Sequence, residues 1–208
     1  MTPNKCMAAK TSVIDLYERH ASEYDRMRGR SLQEKTWLDR FIARVRHAGT
    51  VLDIGCGMAE PVATYLVEQG LRVVGVDSSP AMIEMCRTRM PGQRWLVADM
   101  RALALDERVD GILAWDSFFH LNRDDQRAMF PRCAAHARPG APLMFTSGPA
   151  DGEAVGSFGG EPLYHASLDP AEYERLLAEN GFVVRDFCLK DPDCGDHTVW
   201  LATYGSSR

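Results

Sequence analysis

Short apolar runs alternate with helical stretches along residues 50–204, and the first of them is Val51, Leu52 and Ile54, interrupted only by Asp53. A run of that kind suits a strand buried on both faces of a parallel sheet. Downstream, the pattern predicts a helix over 60–69 that ends at Gly70, a strand over 72–76, a helix over 80–90 between Pro80 and Pro91, and a strand over 94–98. A strand over 109–115, a helix over 123–137 and a strand over 141–147 complete a parallel portion. Asp169 and Pro170 start a further helix that stops at Asn180 and Gly181, residues suited to a helix C-terminus. Two apolar-rich runs, 182–189 and 197–204, close the chain around the turn-prone segment 191–196. Upstream, 12–27 and 31–47 read as helices with Ser12 and Ser31 as their caps.

This order predicts an α/β fold, a Rossmann-like doubly wound sheet with an antiparallel strand near its end and two extra N-terminal helices. At 208 residues the chain reads as one domain, with a helical cap over about 12–47 and a core over 50–204. The glycine-rich stretch 148–160 approaches low complexity. A structureless connection of that length is usually functional or mobile, so the loop 148–168 is a candidate lid, and whether it acts as one stays open.

Composition narrows the function classes. The formal net charge of -5 and the absence of a basic cluster disfavour nucleic acid as a partner. The first residues lack a signal peptide's apolar stretch and no run is long enough to span a bilayer, so no membrane partner and a cytoplasmic location are expected. The six cysteines, at 6, 56, 86, 133, 188 and 194, form no CxxC pair, so no metal site is expected and free thiols are the default.

Chemistry enters at residues 51–61, VLDIGCGMAEP, where the buried strand runs into a glycine-rich turn that opens a helix. Gly55 and Gly57 let the backbone approach a ligand closely. Asp77 follows 22 positions after Gly55 at the end of the second strand, the place from which an acid accepts hydrogen bonds from ribose hydroxyls. A dinucleotide site needs its pyrophosphate on the helix N-terminus. Here Asp53 precedes the turn, Glu60 follows it and the third glycine is missing. Carboxylates there would repel a pyrophosphate and attract a cationic amine, which suits S-adenosyl-L-methionine.

With VVGVDSSPAMIEMCR at 73–87, RWLVADMRAL at 94–103, DGILAWDSFFHL at 110–121 and ARPGAPLMFTSG at 137–148 in the same order, the chain resembles the class I S-adenosylmethionine-dependent methyltransferases of small molecules. The resemblance implies a seven-stranded sheet, S-adenosyl-L-methionine as cofactor and S-adenosyl-L-homocysteine as product. It places Gly55 and Gly57 along the methionine portion, Asp53 near the amino group, Asp77 on the ribose, Met82 on the adenine side, and Asp99 with the backbone of Met100 at the adenine edge. Ala59 stands where the family usually has glycine. Cys56, Ser78 and Trp115 complete the expected cofactor contacts. Tyr24, from an N-terminal helix, is expected to close over the cofactor, and Arg28 to partner its carboxylate.

The acceptor is expected to be a small molecule modified at oxygen, nitrogen or a carboxylate, because the Asn/Asp-Pro-Pro-aromatic run of many base methyltransferases is replaced by Trp115-Asp116-Ser117-Phe118. His120 is the candidate general base with Asp116 four positions before it; on a helical turn both would share one face. Tyr17, Tyr24, Phe118, Phe119, His120, Tyr164 and His165 are the expected acceptor contacts, whereas His197 reads as closing a hairpin. Two other classes stay open: a noncatalytic S-adenosylmethionine-binding module and an NAD(P)-dependent oxidoreductase. The oligomeric state, monomer or homodimer, also stays open.

Overall fold

A computed structural model describes residues 13–205, so the Ser12 cap lies outside the described residues. Helical residues 13–19 (α1) are followed by α2 (Ala21–Met27), α3 (Lys35–Ile42), β1 (Thr50–Ile54), α4 (Val62–Glu68), β2 (Arg72–Asp77), α5 (Pro80–Arg89), β3 (Arg94–Val97) and β4 (Gly111–Ala114). Then come α6 (Arg123–His136), β5 (Pro142–Ser147), β6 (Gly152–Phe158), β7 (Glu161–Ser167), α7 (Pro170–Glu179), β8 (Phe182–Asp191) and β9 (His197–Tyr204).

Seven strands form one sheet in the order β3-β2-β1-β4-β5-β9-β8. β1 pairs in parallel with β2 on one side and β4 on the other, while β9 runs antiparallel to both β5 and β8. The strand order reverses between β1 and β4, and ligands of open α/β sheets bind beyond the carboxyl ends at such a switch point.

Alternation along the strands fills two cores. Leu52, Ile54, Val74, Val76, Ile112 and Phe145 face one side with Phe130 of α6 and Tyr173 of α7. Val51, Val73, Leu113, Met144 and Leu201 face the other with Trp37 and Phe41 of α3, Leu66 of α4 and Ile83 of α5. Both faces of the central strands are covered, which explains their unbroken apolar runs.

Two sequence expectations need correction at the N-terminus. The helix expected over 12–27 is broken at His20, whose ring bonds Glu23 of α2 at 3.1 Å and Glu161 of β7 at 2.9 Å. The second helix is capped by Glu34, not Ser31, and ends at Ile42. Glu34 is buried and takes a 2.7 Å hydrogen bond from Arg28, so a tertiary ion pair sets where α3 begins.

The segment 148–168 is also not a structureless lid. β6 and β7 pair as a regular antiparallel hairpin apart from the main sheet. Its tip is Gly159-Gly160, both with positive φ (56° and 77°), the two-residue turn whose twist matches paired strands. A Gly-Gly step flanked by Phe158 and Leu163 carried that signal in the sequence. A side chain at Gly159 would also strike the His20 ring, 2.6 Å from the position of its Cβ.

Gln126 ties the hairpin to the sheet domain. Its buried amide donates to the carbonyls of Leu121 at 2.9 Å and Ala166 at 2.8 Å, and its oxygen accepts from the Tyr173 hydroxyl at 2.5 Å. Replacing Gln126 with Leu removes these three buried hydrogen bonds, and the expected loss is about 2–4 kcal/mol. Urea unfolding checks this, as a lowered midpoint at unchanged slope.

Candidate cofactor and acceptor site

The glycine turn is held by backbone and carboxylate together. The amides of Gly55 and Cys56 both donate to the Val76 carbonyl, at 2.7 and 3.1 Å. Gly55 has φ +75°, and a Cβ there would sit 2.3 Å from the Ser117 Cβ, so the turn presses directly against the segment after β4. Asp77 accepts from the Gly57 amide at 3.0 Å and the Ser79 amide at 2.9 Å, locking the turn to the end of β2. Ala59 adopts φ +75°, the left-handed conformation glycine takes most easily, so the substitution keeps the turn at some conformational cost.

Asp53 is only 4% exposed. Burial, helped by the charge of Asp77, raises its carboxyl to about 7. Burial likewise lifts Asp77 to about 6, against the opposing hydrogen bonds from the Ser79, Gly57 and Ser78 amides. Glu60 departs from the sequence expectation: its carboxylate is engaged by Arg30 at 3.3 Å and Arg89 at 3.7 Å. The acid that stays at the turn to meet a cation is therefore Asp53.

Two adjoining cavities open over this turn. The larger, about 830 Å³, has Asp77, Ser78, Met82, Asp99 and Met100 on its walls. The smaller, about 380 Å³, is bounded by Arg28, Asp53, Cys56, Ala59 and Trp115. Tyr24, Gly55, Gly57 and Asp116 border both. Every residue expected at the cofactor thus lines one cavity or the other. Asp99 caps a short 3-10 turn (Met100–Ala102), accepting from the Arg101 amide at 2.8 Å and guanidinium at 2.9 Å. Burial alone would raise the Asp99 carboxyl, but Arg101 holds it below the usual range.

One contact the sequence reading missed anchors the N-terminal helices over this cleft. Glu18 of α1 accepts from the Ser79 hydroxyl at 2.5 Å and the Ala81 amide at 3.1 Å. Tyr17 and Tyr24 meet edge to face 5.4 Å apart. Phe158, next to the hairpin tip, stacks on Tyr17 at 5.6 Å and reaches Tyr24 at 6.0 Å.

The expected partnership of Asp116 with His120 does not form. Asp116 takes φ +51°, which breaks any helical turn, and its carboxylate pairs with His197 Nε2 at 2.7 Å. His120, in a 3-10 turn (Phe118–His120), instead meets the Tyr17 hydroxyl through Nε2 at 3.0 Å and the Tyr164 carbonyl through Nδ1 at 3.1 Å. A carbonyl only accepts, so Nδ1 carries the hydrogen and Nε2 accepts from Tyr17. Burial is the main force that lowers His120 to about 4, so its ring is neutral.

His197 is the residue the sequence reading set aside. It opens β9, whose antiparallel course against β5 brings its first residues to the carboxyl ends of the parallel strands. An antiparallel closing strand always starts at that end of the sheet, and this is the signal that could have found it. The ring lies 5.6 Å from Trp115, nearly parallel to it. The hydrogen bond with Asp116 raises it to about 8.

The other expected acceptor residues divide. Phe118 is a correction: at the start of the 3-10 turn it packs into the core against Phe145 at 5.0 Å and Phe130 at 5.7 Å. Phe119 and His165 also do not line the cleft; their rings stand behind His120, at 4.8 and 4.9 Å. Tyr164 contributes its carbonyl, while its ring is buried with Leu16 and Leu163. Tyr17, Tyr24 and His120 line the larger cavity.

Comparison with known proteins bears on this geometry. Residues 51–140 match the family model of a methyltransferase domain. Over 98 residues the chain is 41% identical to the trans-aconitate 2-methyltransferase of Azoarcus sp. (strain BH72), covering 46% of this chain and 38% of that protein. These matches support a class I S-adenosylmethionine-dependent methyltransferase. The chain is also 29% identical over 140 residues to the malonyl-[acyl-carrier protein] O-methyltransferase of Salmonella typhimurium, covering 66% of this chain and 54% of that one. The chain therefore spans roughly two-fifths to one half of the length of these relatives. Among solved structures, the fold matches a Burkholderia thailandensis 1,6-didemethyltoxoflavin-N1-methyltransferase with bound 1,6-didemethyltoxoflavin and S-adenosylhomocysteine, with TM-score 0.73, 20% identity, and coverage of 99% and 92% of the two chains. It also matches a Clostridium acetobutylicum S-adenosylmethionine-dependent methyltransferase, with TM-score 0.71, 13% identity, and coverage of 92% and 100%. The matches favour the methyltransferase reading over an NAD(P)-dependent oxidoreductase. Among the described residues, no helix is long and apolar enough to cross a membrane, and no cluster of three His, Cys, Asp or Glu side chains could hold a metal ion.

The His197–Asp116 pair makes a pH prediction. The folded pKa lies above the ordinary histidine value of 6.5, so the pair's stabilisation is full below that value and is lost as pH rises through about 8. NMR titration of the His197 ring should show a midpoint near 8 in the native chain. In Asp116→Asn it should fall toward the value of a free histidine.

Proposed function

We propose that this chain transfers a methyl group from S-adenosyl-L-methionine to a small-molecule acceptor bound between the glycine turn and the aromatic residues of α1 and α2. The observation that carries the reading is the pair of buried carboxylates, Asp53 and Asp77, at the ends of adjacent parallel strands. When bound, the cofactor supplies a methyl group on a sulfonium that leaves by in-line displacement.

The residues divide the remaining work. Asp53 holds the cationic amino group, and its ionised form is restored by that charge. Asp77 accepts the ribose hydroxyls while keeping its bonds to the turn. Met82 packs beside the adenine. Ala59, Gly55 and Gly57 keep side chains out of the cofactor's path. Tyr24 covers the cofactor, and Arg28 stands near its carboxylate end. Fixing donor and acceptor at near-attack distance supplies most of the acceleration in such displacements, and water is excluded by the aromatic cover.

The names of the two sequence relatives, trans-aconitate 2-methyltransferase and malonyl-[acyl-carrier protein] O-methyltransferase, support a metabolite or carrier-borne acceptor over a macromolecular surface. A noncatalytic binding module would share the cofactor contacts, and binding without turnover over a wide acceptor panel would favour it.

Cofactor binding should be linked to a proton. With Asp53 at about 7 in the free chain, a bound cation lowers that pKa, so binding releases protons below pH about 7 and affinity rises with pH toward that value. Isothermal titration calorimetry in buffers of different ionisation enthalpy measures the release. Asp53→Asn should abolish it and weaken binding. Proton-independent binding, or none at all, would remove the assignment.

A further inference from the structure

The cleft around the reactive end is unusual in the charges it offers. Asp53, Asp77 and Asp116 all border it. The arginines on its walls, Arg28 and Arg101, are each held by an acid, Arg28 by buried Glu34 at 2.7 Å and Arg101 by Asp99 at 2.9 Å. His197, charged beside Asp116, is neutralised by that carboxylate at 2.7 Å. Among the described residues lining the cleft, no cation is left over to receive an anionic acceptor. A carboxylate acceptor would find no unpaired side-chain cation there.

An aliphatic amine meets the opposite difficulty. Neighbouring carboxylates stabilise its ammonium form, and an ammonium nitrogen has no lone pair with which to attack. A neutral hydroxyl has neither problem. It needs a group to take its proton, because an oxygen that gains a methyl while keeping its hydrogen is a strong acid and a poor product.

Such a group is present. Tyr17 borders the cleft, and its hydroxyl donates to His120 Nε2 at 3.0 Å. The Tyr164 carbonyl, 3.1 Å from Nδ1, fixes the tautomer in which Nε2 is free to accept. The groups facing the His120 ring are Tyr17 from α1, Phe119 beside it, Asp116 before the same 3-10 turn, and His165 and the Tyr164 carbonyl from β7. His165 opposes a charge on the ring and Asp116 favours one, while burial keeps it neutral at rest.

Building on the proposed methyl transfer, we propose that the acceptor is an uncharged hydroxyl-bearing small molecule and that Tyr17 and His120 form a relay that removes its proton. The acceptor oxygen forms a bond to the methyl carbon as the carbon–sulfur bond breaks and its electron pair stays on sulfur. The acceptor proton passes to the Tyr17 oxygen while Tyr17's own proton moves along its existing hydrogen bond to His120 Nε2. The positive charge that leaves the sulfonium thus ends on the imidazole, and Tyr17 is neutral before and after. A weak base is strong enough for this step, because the methylated oxygen is far more acidic than the alcohol it came from. Tyr17 is the catalytic residue that touches the acceptor, and His120 is the terminal proton acceptor acting through it.

The test uses the full chain with Tyr17→Phe and His120→Gln variants. Calorimetry with S-adenosyl-L-homocysteine comes first. Unchanged affinity in both variants is expected, and failure of the native chain to bind would sink the proposed function rather than the relay. Methyl transfer is then measured to phenol, catechol and 1-naphthol, to benzylamine and cyclohexylamine, and to benzoate and trans-cinnamate. Transfer to the hydroxyl set is expected, with kcat on the order of 100-fold lower in Tyr17→Phe at nearly unchanged KM. Gln can accept the Tyr17 hydrogen bond but not its proton, so His120→Gln should fold normally and lose a similar factor. Nitrogen-15 NMR of the His120 ring gives a readout free of turnover: an unprotonated Nε2 that shifts in Tyr17→Phe is expected. The proposal is overturned by preferred transfer to amines or carboxylates, by no hydroxyl transfer despite cofactor binding, by wild-type kcat in either variant, or by a protonated Nε2.

Discussion

Asp53 and Asp77 sit side by side at the ends of β1 and β2, buried deeply enough that both carboxyls resist ionisation. A fold tolerates such a pair only where other groups need it. Asp77 meets that condition within the chain, because its oxygens hold the amides of Gly57 and Ser79 and thereby set the course of the turn. Asp53 has its natural counterpart in a ligand's cation. The course of the turn and the position of Ser79, which caps α5 and meets Glu18 of α1, are tied to Asp77. The ionisation of the two acids also makes the free chain less stable as pH rises from the carboxylate range through about 7, the reverse of an ordinary surface acid.

The far side of the cleft is organised by two histidines driven in opposite directions. His197 is raised to about 8 by an acid partner, whereas His120 is lowered to about 4 by burial among rings. Asp116 can serve only one of them, and its left-handed backbone turns it toward His197. That choice leaves His120 neutral and its Nε2 committed to Tyr17. The site therefore separates a fixed charge pair from a neutral hydrogen-bonded pair within a few residues of chain.

That the residues expected at the cofactor converge on one cleft was readable along the chain because strand, turn and helix are neighbours in sequence. Asp53, the two glycines, Asp77, Met82 and Asp99 need only the parallel order of β1 to β3 to converge. The acceptor half was read less well because its parts converge through tertiary contacts. The spacing of Asp116 and His120 suggests a shared helical face, but a positive φ at Asp116 cannot be seen in the residue types. His197 comes from the end of the chain and arrives through the antiparallel course of β9. Glu18 and Glu34 look like solvated helix acids until the residues they bond are brought beside them. The hairpin was the one local feature overlooked, since Gly159-Gly160 between Phe158 and Leu163 already spelled its turn.

The hairpin β6–β7 contributes no rung to the seven-stranded sheet, yet Phe158 and the Tyr164 carbonyl support Tyr17 and His120 of the cleft wall. Its sequence can therefore change without altering the packing order of the domain that holds the cofactor. The matched family segment ends at residue 140, before the hairpin begins. Under the proposed function, cofactor chemistry and acceptor choice would be carried by separable stretches of chain, and descendants of one gene could exchange the second while inheriting the first intact.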